Sequence, residues 1–338
     1  MDKQIQELEK LLGKKVETNE PLAKYTTFKI GGAAKYFFIA KNNEDLVRAI
    51  TFAKKLKIST YILAGCSNVL VADSGFDGLV ILNQAKDVII SAKGAAPAGG
   101  QGSASGGKKG NKVVADAGVW LMDLVNKTID QGLVGLENLG GIPGSVGGAI
   151  RGNAGAYGSE IADHLIGVEV MRGSKQFVLN KDKCGFKYRD SIFKRNNDLI
   201  ISAEFELAKG DKTKAQATVK EILQKRKDNL PLESPSAGCI FQNVLINTDN
   251  MDAVKNLRNL PPEYLEKKKV PAAWLIELLD LKGKTIGQAQ ISNKHANFII
   301  NLGGATANQV LQLISYVKMK VRDELGIQLM EEVEYVGF

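Results

Sequence analysis

Residues 135–158 read GLENLGGIPGSVGGAIRGNAGAYG, and this stretch decides how the rest of the chain is read. Nine of its residues are glycine, so ordering it loses more backbone entropy than an ordinary segment of that length would. A ligand that needs backbone N–H groups close by offsets such a loss. Small residues let a loop wrap a pyrophosphate, because no Cβ stands between the amides and the oxygens. A flexible linker is the other explanation, but linkers are Gly/Ser/polar throughout. Here Leu136, Leu139, Ile142, Val146, Ile150 and Tyr157 punctuate the glycines like anchors into a core. The stretch is therefore read as a buried cofactor loop.

Working outward, the 338 residues suffice for two or three domains. Apolar content of 44% and charged content of 24% fit a soluble globular protein, and no run approaches a membrane span. The N-terminus, MDKQIQELEK, is charged and lacks the apolar centre of a signal peptide, so cytoplasmic residence is expected. Cys66, Cys184 and Cys239 are too scattered for a disulfide framework or a CxxC metal site, and with only His164 and His295 no metal site is expected. The net charge of +8 suits nucleic acid or an anionic small molecule. Basic residues are spread along the chain with modest clusters near Lys225–Lys227 and Lys267–Lys269, so a phosphorylated ligand is preferred to nucleic acid.

In chain order, residues 2–13 predict an amphipathic helix ending at Gly13. Thr26–Phe28 and Ala34–Ala40 read as strands flanking Gly31-Gly32. Asn42–Leu56 reads as a helix with a capping asparagine, acids in its first turn and lysines in its last. Thr60–Ala64 is a strand that delivers Gly65, Ser67 and Asn68 to a tight turn; no GxGxxG follows, so a Rossmann fold is not adopted. Lys93–Asn111 is low in complexity and reads as a solvated, mobile hairpin tip without chemistry. Trp120–Gln131 is a helix leading into the glycine-rich stretch. Strands follow at Gly167–Arg172, Gln176–Leu179 and Leu199–Leu207, then a helix at Thr213–Arg226 and a loop at Pro231–Asn243. Helices at Ala272–Leu279 and Ala307–Leu325 and strands at Ala296–Asn301 and Gln328–Val336 complete the reading.

The segments TTFKIGG, AGCSNVLVADSGFDGLVI, GLENLGGIPGSVGGAIRGNAGAYG, YRDSIFK, PSAGCIFQN, KHANFIIN and LMEEVEYVG occur in an order that resembles the UDP-N-acetylenolpyruvoylglucosamine reductase family, in its shorter, second type. The resemblance covers about Asn19 to Gly337. It implies an α+β protein with a FAD-binding fold of the vanillyl-alcohol-oxidase (PCMH) type and a C-terminal α+β substrate-binding domain. The linear division it suggests is 1–85 and 86–212 for two FAD-binding subdomains, 213–328 for the substrate domain, and 329–338 for a strand bearing a glutamate. It further implies FAD and NADPH as cofactors, UDP-N-acetylglucosamine enolpyruvate as substrate, and a cytoplasmic monomer of peptidoglycan precursor synthesis with no nucleic-acid or membrane partner.

Site residues follow from the same resemblance. Cys239 in PSAGCIFQN matches the proton donor, which is often serine in the family; a thiol is the better acid. Arg189 matches the catalytic arginine, and a guanidinium is the natural clamp for a carboxylate; its structural alternative is an ion pair with Asp190. Glu332 matches the catalytic glutamate, with Glu331 beside it as the alternative, since in a strand Glu332 and Glu334 would share a face. FAD falls to Gly65, Ser67, Asn68, Gly141, Gly144, Ser145, Gly147, Gly148, Arg151 and Asn153. Tyr188, Asn243, Lys227 (or Lys225), His295 and Asn297 fall to the substrate. Cys66 and Cys184 are read as structural, Cys66 at a turn position that suits glycine, and Tyr36 and Tyr157 as core. Two rival functions stay open: a FAD oxidase on the same fold, and a UDP-sugar binder without chemistry.

Overall fold

The computed structural model describes residues 3–91, 111–196 and 198–338. They fall into two compact units that interleave along the chain: residues 1–17, 36–65 and 78–226, and residues 18–35, 66–77 and 227–338. This grouping differs from the linear division at 85, 212 and 328, because short early segments pack with the C-terminal residues.

The first unit is built on an antiparallel sheet in the order Lys175–Asn180, Leu165–Arg172, Leu199–Lys209, Asn111–Asp116, Val88–Ser91. Alternation along the central strand buries Leu199, Ile201, Ala203, Phe205 and Leu207. Helix Leu121–Asp130 lays Leu121, Leu124, Val125 and Ile129 on that core, the i, i+3, i+4 face expected from the sequence. A second core joins Ile5, Leu8 and Leu12 of helix Lys3–Leu12 to Leu46, Ala49 and Ala53 of helix Asn43–Lys55. The latter helix starts where Asn42 Oδ1 accepts the Asp45 N–H at 2.8 Å. Strand Thr60–Leu63 pairs in parallel with Leu79–Leu82. The low-complexity insert at 93–111 lies, apart from Asn111, outside the described residues; the strands on either side of it pair antiparallel, as a hairpin requires.

The second unit carries an antiparallel sheet in the order Ser236–Cys239, Phe298–Asn301, Ala289–Ile291, Thr285–Ile286. Helix Ala307–Leu325 buries Val310, Leu313, Ile314, Val317 and Val321 in the same core. Thr306 and Gln309 form its capping box, and the Asp73 carboxylate accepts the Ala307 and Asn308 N–H groups at 2.7 and 3.0 Å. Strand Val69–Val71 runs parallel to Glu334–Val336.

Several local expectations are corrected. Thr26–Phe28 is a turn, because the Thr26 carbonyl accepts the Lys29 N–H at 3.3 Å and Lys29 takes a φ of 58°. The Pro231–Asn243 loop contains a real strand at Ser236–Cys239. Only Glu334–Val336 of the last segment is a strand; a bend at Val333 ends the simple alternation of the glutamates. The helix expected at 213–226 runs over Lys212–Asn229. Tyr36 is buried as expected, but Tyr157 is 47% exposed on a φ of 51°, held out by the turn it occupies.

Candidate active site

The glycine-rich stretch works first by close approach. A Cβ added at Gly65 would lie 2.3 Å from Gly144 Cα, so the tight turn and the loop can meet only as bare backbone. Ser145 caps the short helix Val146–Arg151, its Oγ accepting the Gly148 N–H at 3.2 Å. The amide of Gly147 donates to the Ala117 carbonyl at 2.8 Å, and that of Gly141 to Met122 Sδ at 3.4 Å. Gly141, Gly147 and Gly148 use these amides to shape the loop itself. Arg151 likewise donates to the Phe193 carbonyl.

Asn153 is different. It is 1% exposed, sits at φ 44°, and its Nδ2 donates to Glu160 Oε2 at 2.7 Å and the Lys187 carbonyl at 2.9 Å. Its Oδ1 is buried with no hydrogen-bond partner. A buried acceptor left unanswered carries a penalty of about 1–3 kcal/mol, which a bound donor would relieve. Together with the glycine approach, that acceptor fits a flavin nucleotide with its ring imide and phosphates.

Arg189 belongs to the same neighbourhood. Its guanidinium donates to the Gly155 carbonyl at 2.7 Å and the Asn153 carbonyl at 3.5 Å, and stacks 5.3 Å from the centre of the Tyr188 ring. Asp190 pairs with Arg195, which sets aside the ion pair that is the alternative for Arg189. The backbone of Arg189 is left-handed, φ 53°. Such a conformation is costly for a residue with a Cβ and clusters at functional positions.

In the second unit, Cys239 ends a strand that is out of simple register. Ser236 pairs with Ile300 and Cys239 with Phe298, with a bulge between them at Gly238, φ 75°. A bulge of this kind re-aims the side chain that follows it. The next residue ties Cys239 to the glutamates: the Ile240 carbonyl accepts the Glu332 N–H at 2.7 Å and Phe241 bridges to Glu331. Glu331 is engaged by Lys318 at 2.8 Å. Asn68 brackets Glu332, its Nδ2 donating to the Glu332 carbonyl at 2.8 Å and its own carbonyl accepting the Glu334 N–H at 2.9 Å. Asn68 thus holds the glutamate in addition to any part it has with FAD. Its neighbour Ser67 presents its carbonyl 3.8 Å from where a Cβ on Gly238 would lie.

The remaining candidates divide. Asn243 Oδ1 accepts the Ala272 N–H at 3.1 Å, at the start of helix Ala272–Leu278. Both amide atoms of Asn297 are engaged by the Phe241 backbone. The Lys227 carbonyl accepts from Lys294 Nζ at 2.6 Å, whereas Lys225 is paired with Glu221. His295 packs edge-on to Phe298, and burial lowers its basicity. Cys184 is fully buried, its thiol pushed up to about 11 by burial with Asp182 adding to it, which suits a core residue. Cys66 sits at φ 48°, the left-handed turn position that favours glycine. None of the three cysteines forms a disulfide.

Thr27 braces the segments that carry these candidates, a role that sequence reasoning misses. Its N–H donates to the Cys66 carbonyl at 3.1 Å and its hydroxyl to the Ser236 carbonyl at 2.7 Å, joining the Ser67 turn to the Cys239 strand. The signal is the TTFKIGG segment itself, but a short β-branched pair reads as a strand before it reads as a brace. Among the described residues, no cluster of His, Cys, Asp and Glu could hold a metal, and no helix is long and apolar enough to cross a membrane.

Residues 34–176 match the FAD binding domain family, and residues 230–336 match the UDP-N-acetylenolpyruvoylglucosamine reductase, C-terminal domain. The chain is 37% identical to the UDP-N-acetylenolpyruvoylglucosamine reductase of Solibacter usitatus, over 95% of this chain and 97% of that one. It is 39% identical to that of Carboxydothermus hydrogenoformans, over 98% and 97%. Among solved structures, the reductase of Thermus caldophilus superimposes with a TM-score of 0.68 at 30% identity, covering 95% of this chain and 98% of that one. With these matches spanning both units and the FAD-binding fold in place, the chain belongs to the UDP-N-acetylenolpyruvoylglucosamine reductase family.

Proposed function

We propose that this protein reduces the enolpyruvyl group of UDP-N-acetylglucosamine enolpyruvate to give UDP-N-acetylmuramate, with FAD and NADPH, as a cytoplasmic monomer. The observation that carries the residue assignment is the bulged strand that ends at Cys239, one hydrogen-bonded residue from Glu332. FAD, when bound, supplies hydride chemistry after reduction by NADPH. The chain's own residues handle the charge and the proton. Addition of hydride to one carbon of the vinyl ether leaves negative charge on its neighbour, shared with the substrate carboxylate. Cys239 Sγ–H gives its proton to that neighbouring carbon. A thiol releases its proton more readily than a hydroxyl does. Arg189 offsets the charge on the carboxylate through two parallel N–H donors. Glu332 supplies the acid that hydrogen-bonds to the developing enolate oxygen.

The absorption spectrum of the purified protein tests the reading. A flavin band that bleaches with NADPH under anaerobic conditions and recovers on adding the enolpyruvyl sugar nucleotide is expected. Recovery with oxygen alone favours an oxidase, and a colourless protein favours a UDP-sugar binder.

A further inference from the structure

Residues 240–242 lie between two sets of hydrogen bonds. On one side the Ile240 carbonyl accepts the Glu332 N–H at 2.7 Å and the Gln242 N–H donates to the Met330 carbonyl at 2.9 Å. On the other side stands Asn297, 3% exposed. Its own carbonyl accepts the Ile240 N–H at 2.8 Å. Its side-chain amide then closes a two-bond ring on Phe241: Oδ1 accepts the Phe241 N–H at 2.9 Å, and Nδ2 donates to the Phe241 carbonyl at 2.8 Å. A primary amide is the side chain that offers a donor and an acceptor side by side in one plane, as the backbone of a neighbouring strand would. Asn297 thus stands in for a missing strand residue, where the ladder between Phe298–Asn301 and Ser236–Cys239 has run out.

We infer that Asn297 is a positioning residue for proton delivery: by pinning Phe241 from both backbone groups it fixes the strand end that carries Cys239 and the Ile240 carbonyl that holds Glu332. The inference rests on the roles given above to Cys239 and Glu332. It reassigns Asn297, expected from the sequence at the substrate, to the frame behind the reacting groups. Burial makes the pairing demanding, since a buried donor or acceptor that loses its partner is costly.

The test is Asn297→Asp, nearly isosteric, with Asn297→Ser as a second variant. In Asn297→Asp an ionised carboxylate would face the Phe241 carbonyl acceptor to acceptor and open the ring. A protonated one offers one donor and one acceptor, as the amide does. Each variant is purified with its FAD and followed by rapid mixing in two halves, flavin reduction by NADPH and reoxidation by the enolpyruvyl sugar nucleotide. Deuterium exchange of the peptide spanning 238–243 is measured on the same samples. Expected for Asn297→Asp at neutral pH is faster exchange at Phe241, reoxidation slowed about tenfold or more with a larger solvent isotope effect, and unchanged reduction. Reoxidation should recover as pH falls and the introduced carboxyl, whose pKa is raised by burial and by the facing carbonyl, takes up its proton. Asn297→Ser should show the slow reoxidation without recovery. Normal reoxidation despite lost exchange protection overturns the inference, as does an equal loss in both halves. Cys239→Ala run beside them separates the two claims: if it reoxidises normally, the donor assignment has failed, and the exchange data still judge the clamp.

Discussion

Residues 135–158 of the first unit and residues 236–242 of the second both hold backbone in shapes that a regular strand or helix cannot supply, and they do so by opposite means. The first removes side chains, so that Gly65 and Gly144 meet where a Cβ would lie 2.3 Å from a neighbouring Cα. The second adds side-chain amides, Asn68 at Glu332 and Asn297 at Phe241, to complete hydrogen bonds the backbone leaves open. Loops whose backbones must meet at close range want space. A proton donor wants a fixed direction, because transfer falls off steeply with misplacement. Steric change should therefore damage the first region, and polar or torsional change the second.

The largest effect expected is at the second region. Cys239→Ala should slow flavin reoxidation by the enolpyruvyl substrate about 10²-fold or more while reduction by NADPH stays normal. Cys239→Ser should keep much of the rate, since a hydroxyl can occupy the same direction. Equal rates in all three proteins would remove Cys239 from the reaction.

Two glycine substitutions sharpen the contrast. At Gly65, alanine meets backbone atoms of Gly144 that cannot rotate away, and overpacking of this kind costs about 1–3 kcal/mol. FAD content of purified Gly65→Ala should fall, and thermal shift should show a lower midpoint that added FAD partly restores. At Gly238 there is room, the nearest atom being 3.8 Å from the added Cβ, but φ is 75°. The cost there is torsional, about 1–2 kcal/mol. Gly238→Ala should keep its FAD and lose rate in the reoxidation half alone, by a smaller factor than Cys239→Ala. Loss of FAD from Gly238→Ala, or its retention at full occupancy in Gly65→Ala, would erase the distinction between the two regions.

Sequence reasoning reaches the first region more completely than the second, for a physical reason. A loop made of glycines announces itself by composition, and the helices and strands around it follow period and capping rules that act within a few residues. Helix Asn43–Lys55 with its Asn42 cap and the alternation of Leu199–Leu207 are legible for that reason. The role of each glycine is not: Gly147 bonds Ala117, 30 residues away, which no local rule contains. In the second region nearly every decisive bond is long-range. Thr27 reaches Ser236 across 209 positions and Asn68 reaches Glu332 across 264. The bend at Val333 and the bulge at Gly238 also break the period-2 alternation on which a sequence reading of Glu332 and Cys239 relies. Positive φ at Cys66 is legible because a turn of that type favours glycine; at Arg189 nothing in the sequence signals it.

The smallest effect concerns pH and the edge of the second region. His295 Nδ1 is buried without a hydrogen-bond partner, and its ring packs against Phe298 at 5.0 Å between centroids. Burial lowers its pKa and Lys282 pushes the same way, while Glu277 and the backbone hydrogen bond oppose them without reversing the direction. A histidine whose folded pKa lies below the unfolded value of about 6.5 favours the neutral ring in the native state. Its contribution to stability is therefore fully present above about pH 6.5 and is lost as pH falls through the folded value. One proton limits the slope to at most about 1.4 kcal/mol per pH unit. Urea unfolding of the wild type and of His295→Leu, compared from about pH 7.5 to about pH 5, should show the acid limb flattened in the variant, because leucine fills the site and has no proton to bind. The clamp at Asn297, two residues along the chain, carries no titrating group, so the reoxidation rate of wild type should not follow this limb. If it does, protonation at His295 is reaching Phe241 through the backbone, and the second region is softer than its hydrogen bonds imply.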